Sequence, residues 1–239
     1  LFLVGEEVIG PALMPMFMRE LDTEGGERSA WSFAKAVLWI QAGLLLAVVG
    51  LLAAEPEGFV RLFTRWTATR TPEAFGQAAA SVRGLAPSLI GLSLASTTYV
   101  LLNAYKRFFL ASFADAVWKL AVAALLVLGV LVAPEGVARF LMAGLLAGSL
   151  LKLGTHLFGL RDKRACLRTK PAFRHPSLRP LLHLMLPLLV GVLFAKWRDV
   201  FNNVHVLSGL SESGLIQANS MGRKLSSAIA MLVPYTLSI

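Results

Sequence analysis

One cysteine in 239 residues, Cys166, excludes a disulfide framework and leaves a reduced thiol. Charged residues make up only 15% of the chain, too few to clothe a soluble domain. The four histidines show no paired ligand spacing, so neither a metal site nor a cofactor is predicted. The basic stretch GRKLSS at 222–227 lacks the upstream glycine and the GK[ST] order of a phosphate-binding loop. ATP hydrolysis through such a loop is therefore excluded. Neither a nucleophile elbow nor HExxH occurs, and the chain is not read as an enzyme. No stretch alternates polar and apolar residues over about ten positions, which excludes a membrane β-barrel.

What is present is apolar length. Hydrophobic residues reach 56% and mean hydropathy is +0.67, above the range of soluble domains. The pattern predicts an all-α, polytopic transmembrane helical bundle. Six full spans are expected, at about 33–54, 83–103, 113–133, 137–159, 180–207 and from 214 onward. Each is about twenty residues, enough to cross about 30 Å of hydrocarbon. The opening LFLVGEEVIGPALMPMFM has no initiator Met and reads as the tail of an earlier span. The chain stops at PYTLSI inside its last span, so a fragment of a longer protein is expected.

Positive charge sets the expected orientation. The segment 160–179 holds Arg161, Lys163, Arg164, Arg168, Lys170, Arg174 and Arg179, and is assigned to the cytoplasm. Alternation adds Arg19, Arg28, Lys35, Lys106 and Arg107 to that side. The opposite loops, 55–83, 134–139 and 208–213, hold only Arg61, Arg65, Arg70, Arg83 and Arg139. The net charge of +9 is thus placed against anionic membrane lipids, and nucleic acid is not a predicted partner.

The remaining cations lie within spans, where each costs at least about 2.5 to 3.5 kcal/mol near the bilayer centre. On a helical wheel with Lys196 at zero, Arg198, Asp199, Asn202, Asn203 and His205 fall between roughly 180° and 340°, opposite Trp197, Val200, Phe201 and Val204. The next span repeats the pattern, with Asn219, Ser220, Arg223 and Lys224 on one arc and Met221, Leu225 and Ile229 on the other. Asp199 is the sole acid offsetting Lys196, Arg198, Arg223 and Lys224. A hydrated cavity that attracts an anion, such as a pyrophosphate head group, is expected between these helices. Elsewhere Asp115 and Lys119, four apart, predict a local ion pair. The hydroxyls of SLASTT (93–98) predict helix–helix or self hydrogen bonds, and Pro87, Pro187 and Pro234 predict kinks.

Three stretches resemble the MurJ (MviN) lipid II flippase family. In LASTTYVLLNAYKRFFLASFADAVWKL, residues 94–120, the family's LAS, LN, RF and FA positions are Leu94, Ala95, Ser96, Leu102, Asn103, Arg107, Phe108, Phe113 and Ala114. Asp115 stands where the family has Pro, and Lys119 where it has Asn. EEVIGPALMPMF aligns Glu6, Ala12 and Pro15 with the family's first conserved segment, and Pro187, Asp199 and SGLSESGLIQANS are similar to a later helix hairpin. There Asn219 and Ser220 replace an Asp-Arg pair, and Arg223 and Lys224 stand about a turn later. The resemblance implies two helical lobes around a cationic cavity, opening alternately to each membrane face. Residues 1–160 would end the first lobe, 161–179 would form a cytoplasmic basic linker, and 180–239 would begin the second. It also implies a bacterial inner-membrane protein that flips a pyrophosphate-bearing, lipid-linked glycan. A flippase for O-antigen or exopolysaccharide units and a non-transporting scaffold remain open, as does the oligomeric state. Lys196, Arg198, Asp199, Asn202, Asn219, Ser220, Arg223, Lys224 and Glu6 are the candidate substrate-binding residues.

Overall fold

The computed structural model describes residues 5–64, 72–163, 166, 168–201, 218–222, 224 and 225, without the side chains of Glu6 and Asp199. A π-helical turn, Gly5–Ile9, leads into α1 (Gly10–Leu21), followed by α2 (Gly26–Ala54), α3 (Pro56–Phe63) and α4 (Pro72–Leu85). Then come α5 (Ser88–Ala104), α6 (Phe108–Val132), α7 (Val137–Gly159) and α8 (Leu178–Phe201). No strand occurs among the described residues, and the fold is the expected all-α polytopic bundle. Four helices, α2, α6, α7 and α8, are long and apolar enough to cross a membrane. The pair α4 and α5, bent by 43° at Ala86–Pro87, makes a fifth candidate. The sixth expected span falls mostly outside the described residues.

Two expectations are corrected. Segment 55–83 is not a simple loop: α3 and α4 each start on a proline that presets φ in the first turn, with Glu57 and Glu73 beside the positive helix end. They pack on each other through Val60, Phe75 and Ala79. Their short amphipathic pattern has no long apolar run to betray it. The first span begins at Gly26 rather than 33, because Gly26 at φ 51 ends the turn closed by its N–H to Thr23 O (2.8 Å) and the helix starts at once. Pro87 produces the expected bend, which frees no N–H because proline has none.

The bundle is held by small residues and interhelical hydrogen bonds, as expected where lipid gives little drive to bury apolar surface. On α7, a Cβ added to Gly148 would lie 3.0 Å from Trp118 O, and one added to Gly144 would lie 3.2 Å from Val122 Cα, so α6 runs backbone-close and antiparallel to it. On another side of α7, Ser149 sits where a Gly91 Cβ would meet its Oγ at 2.6 Å. Gln41 on α2 donates to Ser93 O (2.8 Å) and Ser93 Oγ (2.9 Å) and accepts from Thr97 Oγ1 (2.6 Å), crossing to α5. Ser96 donates back to its own helix at Ser93 O. The SLASTT hydroxyls thus do what the sequence predicted. Outward residues such as Phe109, Leu131 and Phe194, each about three-quarters exposed, form the apolar periphery.

Segment 160–177, here the strap, joins α7 to α8, and its described residues are tied to the bundle. Arg107 donates to Gly159 O and pairs with Asp162, and its guanidinium holds that carboxyl below the usual range. Lys163 pairs with Glu27. Lys35 Nζ donates to Thr169 O (2.7 Å), and Ala172 N to Ser32 O (3.1 Å). Buried Glu20 accepts from Ser29 Oγ (2.9 Å) and from Ser177 Oγ, with His175 Nε2 at 3.7 Å. Beneath the strap, Trp31 Nε1 donates to Tyr105 OH (2.8 Å), and Phe17 meets both rings edge-on. Burial, aided by Glu27, pushes the Tyr105 phenol above the ordinary tyrosine range.

Candidate functional site

The candidate residues on α8 are placed by that helix's contact with the first bundle. Leu181 is buried against Ile9, Leu13 and Val100, with Leu178 and Met185 beside it. The half-buried positions continue as Leu189, Val192, Lys196 and Val200, spaced by three or four residues, so they form one stripe. Lys196 therefore lies on the side turned toward the bundle, and Val200, placed by the wheel with Trp197 and Phe201 opposite the polar arc, shares it. Trp197, Leu193 and Phe201, at 70%, 56% and 53% exposure, lie on the outer side as expected. Arg198 is exposed and has an interaction partner. Asn219 is half-buried, while Ser220 and Lys224 are exposed on a helical stretch. Asn202 and Arg223 lie outside the described residues, as do the side chains of Glu6 and Asp199. The hollow expected between the last two spans is thus not among the features described.

A second polar assembly, inside the bundle, escaped the sequence reading. Asp115 does not pair with Lys119, which is exposed on the same helix. It pairs with Lys152 of α7, Nζ to Oδ1 2.6 Å, and Lys152 is only 2% exposed. The antiparallel approach of α6 and α7 explains the choice. Gly148 meets Trp118, so one turn further along α7 Lys152 meets the residue one turn earlier on α6, Asp115. One more turn along, His156 is wholly buried, with Nδ1 2.9 Å from Thr98 Oγ1 and the Tyr99 ring centroid 6.2 Å away. Its Nε2 is the single buried side-chain polar atom left without a hydrogen bond among the described residues. Asp115 borders a cavity of about 440 Å³ between α1, α5 and α6, lined also by Asn103, Tyr99, Ser96 and Pro11. A sequence signal for this existed in the four-residue spacing Gly144, Gly148, Lys152, His156, which puts two small and two ionisable residues on one helical stripe.

Among the described residues no group of three or more His, Cys, Asp or Glu is placed to hold a metal ion. The arrangement is that of a polytopic membrane protein: apolar outside, small-residue seams within, and charge gathered inward in a few places.

Comparison with known sequences narrows the class. The chain belongs to the lipid II flippase MurJ family, whose sequence model matches residues 2–203. No curated protein gives a significant match over the chain. The family stretch at 94–120 now has a structural meaning in part: Arg107 caps the C-terminal carbonyl of α7 at Gly159 and anchors the strap through Asp162.

Proposed function

We propose that the protein translocates a polyprenyl-diphosphate glycolipid, lipid II for peptidoglycan synthesis, from the cytoplasmic to the outer leaflet of a bacterial inner membrane. Membership of the flippase family carries this reading. The surplus of cations over acids on the last two spans supports it, because a diphosphate needs converging positive charge in a wet, partly desolvated place. Lys196, Arg198, Arg223 and Lys224 supply the charge; Asn202, Asn219 and Ser220 hydrogen-bond around it; Asp199 orients Lys196; Glu6 borders the opening. Translocation proceeds by alternating access of two lobes with no covalent chemistry, and the strap lies on the cytoplasmic side, as its basic composition favours.

The test is genetic. Full-length protein carrying Arg223→Gln and Lys224→Gln together is expected to fail to rescue a flippase-depleted strain at normal expression. Full rescue would remove the cationic-arc mechanism. Cysteines placed at 198, 202 and 223 are expected to react with a water-soluble thiol reagent, whereas a dry scaffold would protect them.

A further inference from the structure

The strap end of the bundle gathers many cations, and four of them are partnered. Lys163 has Glu27, Arg107 has Asp162, Lys35 has the Thr169 carbonyl, and Arg161 lies over the Phe158 ring at 4.5 Å. Arg28, Arg168 and Lys170 are distinguished by converging on one pocket. None has an ion pair or hydrogen bond among the described residues, all three are exposed, and all three line one pocket of about 680 Å³. Ser29, Ser32 and Thr169 complete its wall, but their hydroxyls already donate elsewhere, to Glu20, Ser29 O and Cys166 O. No carboxylate lines it. The donors left to face the pocket are two guanidinium groups and one ammonium.

Like charges gathered without a counter-charge repel one another, and a bound anion with several acceptor oxygens relieves that repulsion. Phosphate matches the fork of arginine. The pocket lies where α2 begins, and its strap residues fall between the end of α7 at Gly159 and the start of α8 at Leu178; the ends of helices long enough to cross a bilayer are where lipid head groups meet a protein. Its cations come from two parts: Arg28 from α2, Arg168 and Lys170 from the strap. We propose that this pocket is a phosphate-binding site, filled by the head group of an anionic lipid or by free diphosphate, and that the bound phosphate clamps the strap to the helix bundle. The site is separate from the cationic arc and does not depend on the transport reading.

The experiment uses purified full-length protein with two probes. One arm titrates inorganic pyrophosphate into protein held in a neutral detergent and follows thermal stability. The other reconstitutes the protein in vesicles of phosphatidylcholine with phosphatidylglycerol and counts retained phosphatidylglycerol by native mass spectrometry. Saturable, salt-sensitive binding in at least one arm is expected, and the responding arm identifies the source of the phosphate. Arg168→Gln and Lys170→Gln, exposed strap changes that leave the anchors intact, should each weaken it about tenfold, and adding Arg28→Gln should abolish it. Arg161→Gln, a nearby cation outside the pocket, should bind like the wild type. Binding that survives all three neutralisations, or no saturable binding in either arm, overturns the assignment.

Discussion

The Lys152–Asp115 pair gives an asymmetric prediction. Lys152 is 2% exposed, whereas the Asp115 side chain is 43% exposed and borders the 440 Å³ cavity. Deleting the carboxylate takes away the ion pair that a buried ammonium makes at 2.6 Å in the seam between α6 and α7. Deleting the ammonium leaves a carboxylate beside space that water can fill. Removing one partner of a fully buried pair costs about 3–5 kcal/mol, and the 43% exposure of Asp115 puts Asp115→Ala below that range, at about 2–3 kcal/mol. Lys152→Met keeps the packing of the aliphatic stem and removes the buried charge, so about 1 kcal/mol or less is expected. The double variant should recover most of the loss, giving a coupling of about 2 kcal/mol between sites in direct contact. Unfolding of the purified protein in mixed micelles, followed by helical circular dichroism against denaturant, measures all four corners of the cycle. If Lys152→Met costs as much as Asp115→Ala, or if the two losses simply add, the pair is not the buried link described.

Three further outcomes follow from the geometry. Gly91→Ala would place a methyl 2.6 Å from Ser149 Oγ and 2.9 Å from its Cβ, so a loss of about 1–3 kcal/mol is expected, with Ser149→Gly in the same chain restoring much of it; a well-tolerated Gly91→Ala would mean that α5 and α7 do not approach so closely. Lys106 holds φ at 58, which costs a side chain roughly 1–2 kcal/mol, so Lys106→Gly should leave the melting temperature unchanged or raise it despite glycine's looser unfolded state, and a clear drop would contradict that backbone. Burial, with Glu27 accepting from its Sγ at 3.4 Å, raises the Cys166 thiol above its usual range, so iodoacetamide should react more slowly than with a free thiol at the same pH. Glu27→Gln removes the negative field, lowers the thiol's pKa and should speed alkylation near neutral pH; an unchanged rate would show that the contact does not form in solution.

The spans were legible because an apolar run is a one-dimensional signal. The expected 137–159 coincides with α7, which is bounded by Pro134-Glu-Gly before it and a basic turn after it. Where polar residues begin a helix, as in the Glu-Arg-Ser opening of α2, hydropathy alone placed the start seven residues late. Where a helix lies between spans and buries only one short face, as Val60 and Phe75 do, no long run exists to find. The strap's charge speaks only to its side of the membrane, and its hydrogen bonds to Ser32, Lys35 and Glu20 are contacts between residues more than 130 positions apart, which composition cannot reveal.

Partner choice inside the bundle follows the same division. An ion within a span announces that it needs company, and Asp115 had a cation four residues away on its own helix. That neighbour, Lys119, points outward, and the company comes from Lys152. The deciding residues are not charged. Gly144 and Gly148 let α7 close on the backbone of α6 near Val122 and Trp118, and the antiparallel register fixed there carries Lys152 to Asp115 one turn later. Substituting a large side chain at Gly148 would therefore be expected to separate the charges without touching either of them. Small residues set the register, and the register selects the ion pair.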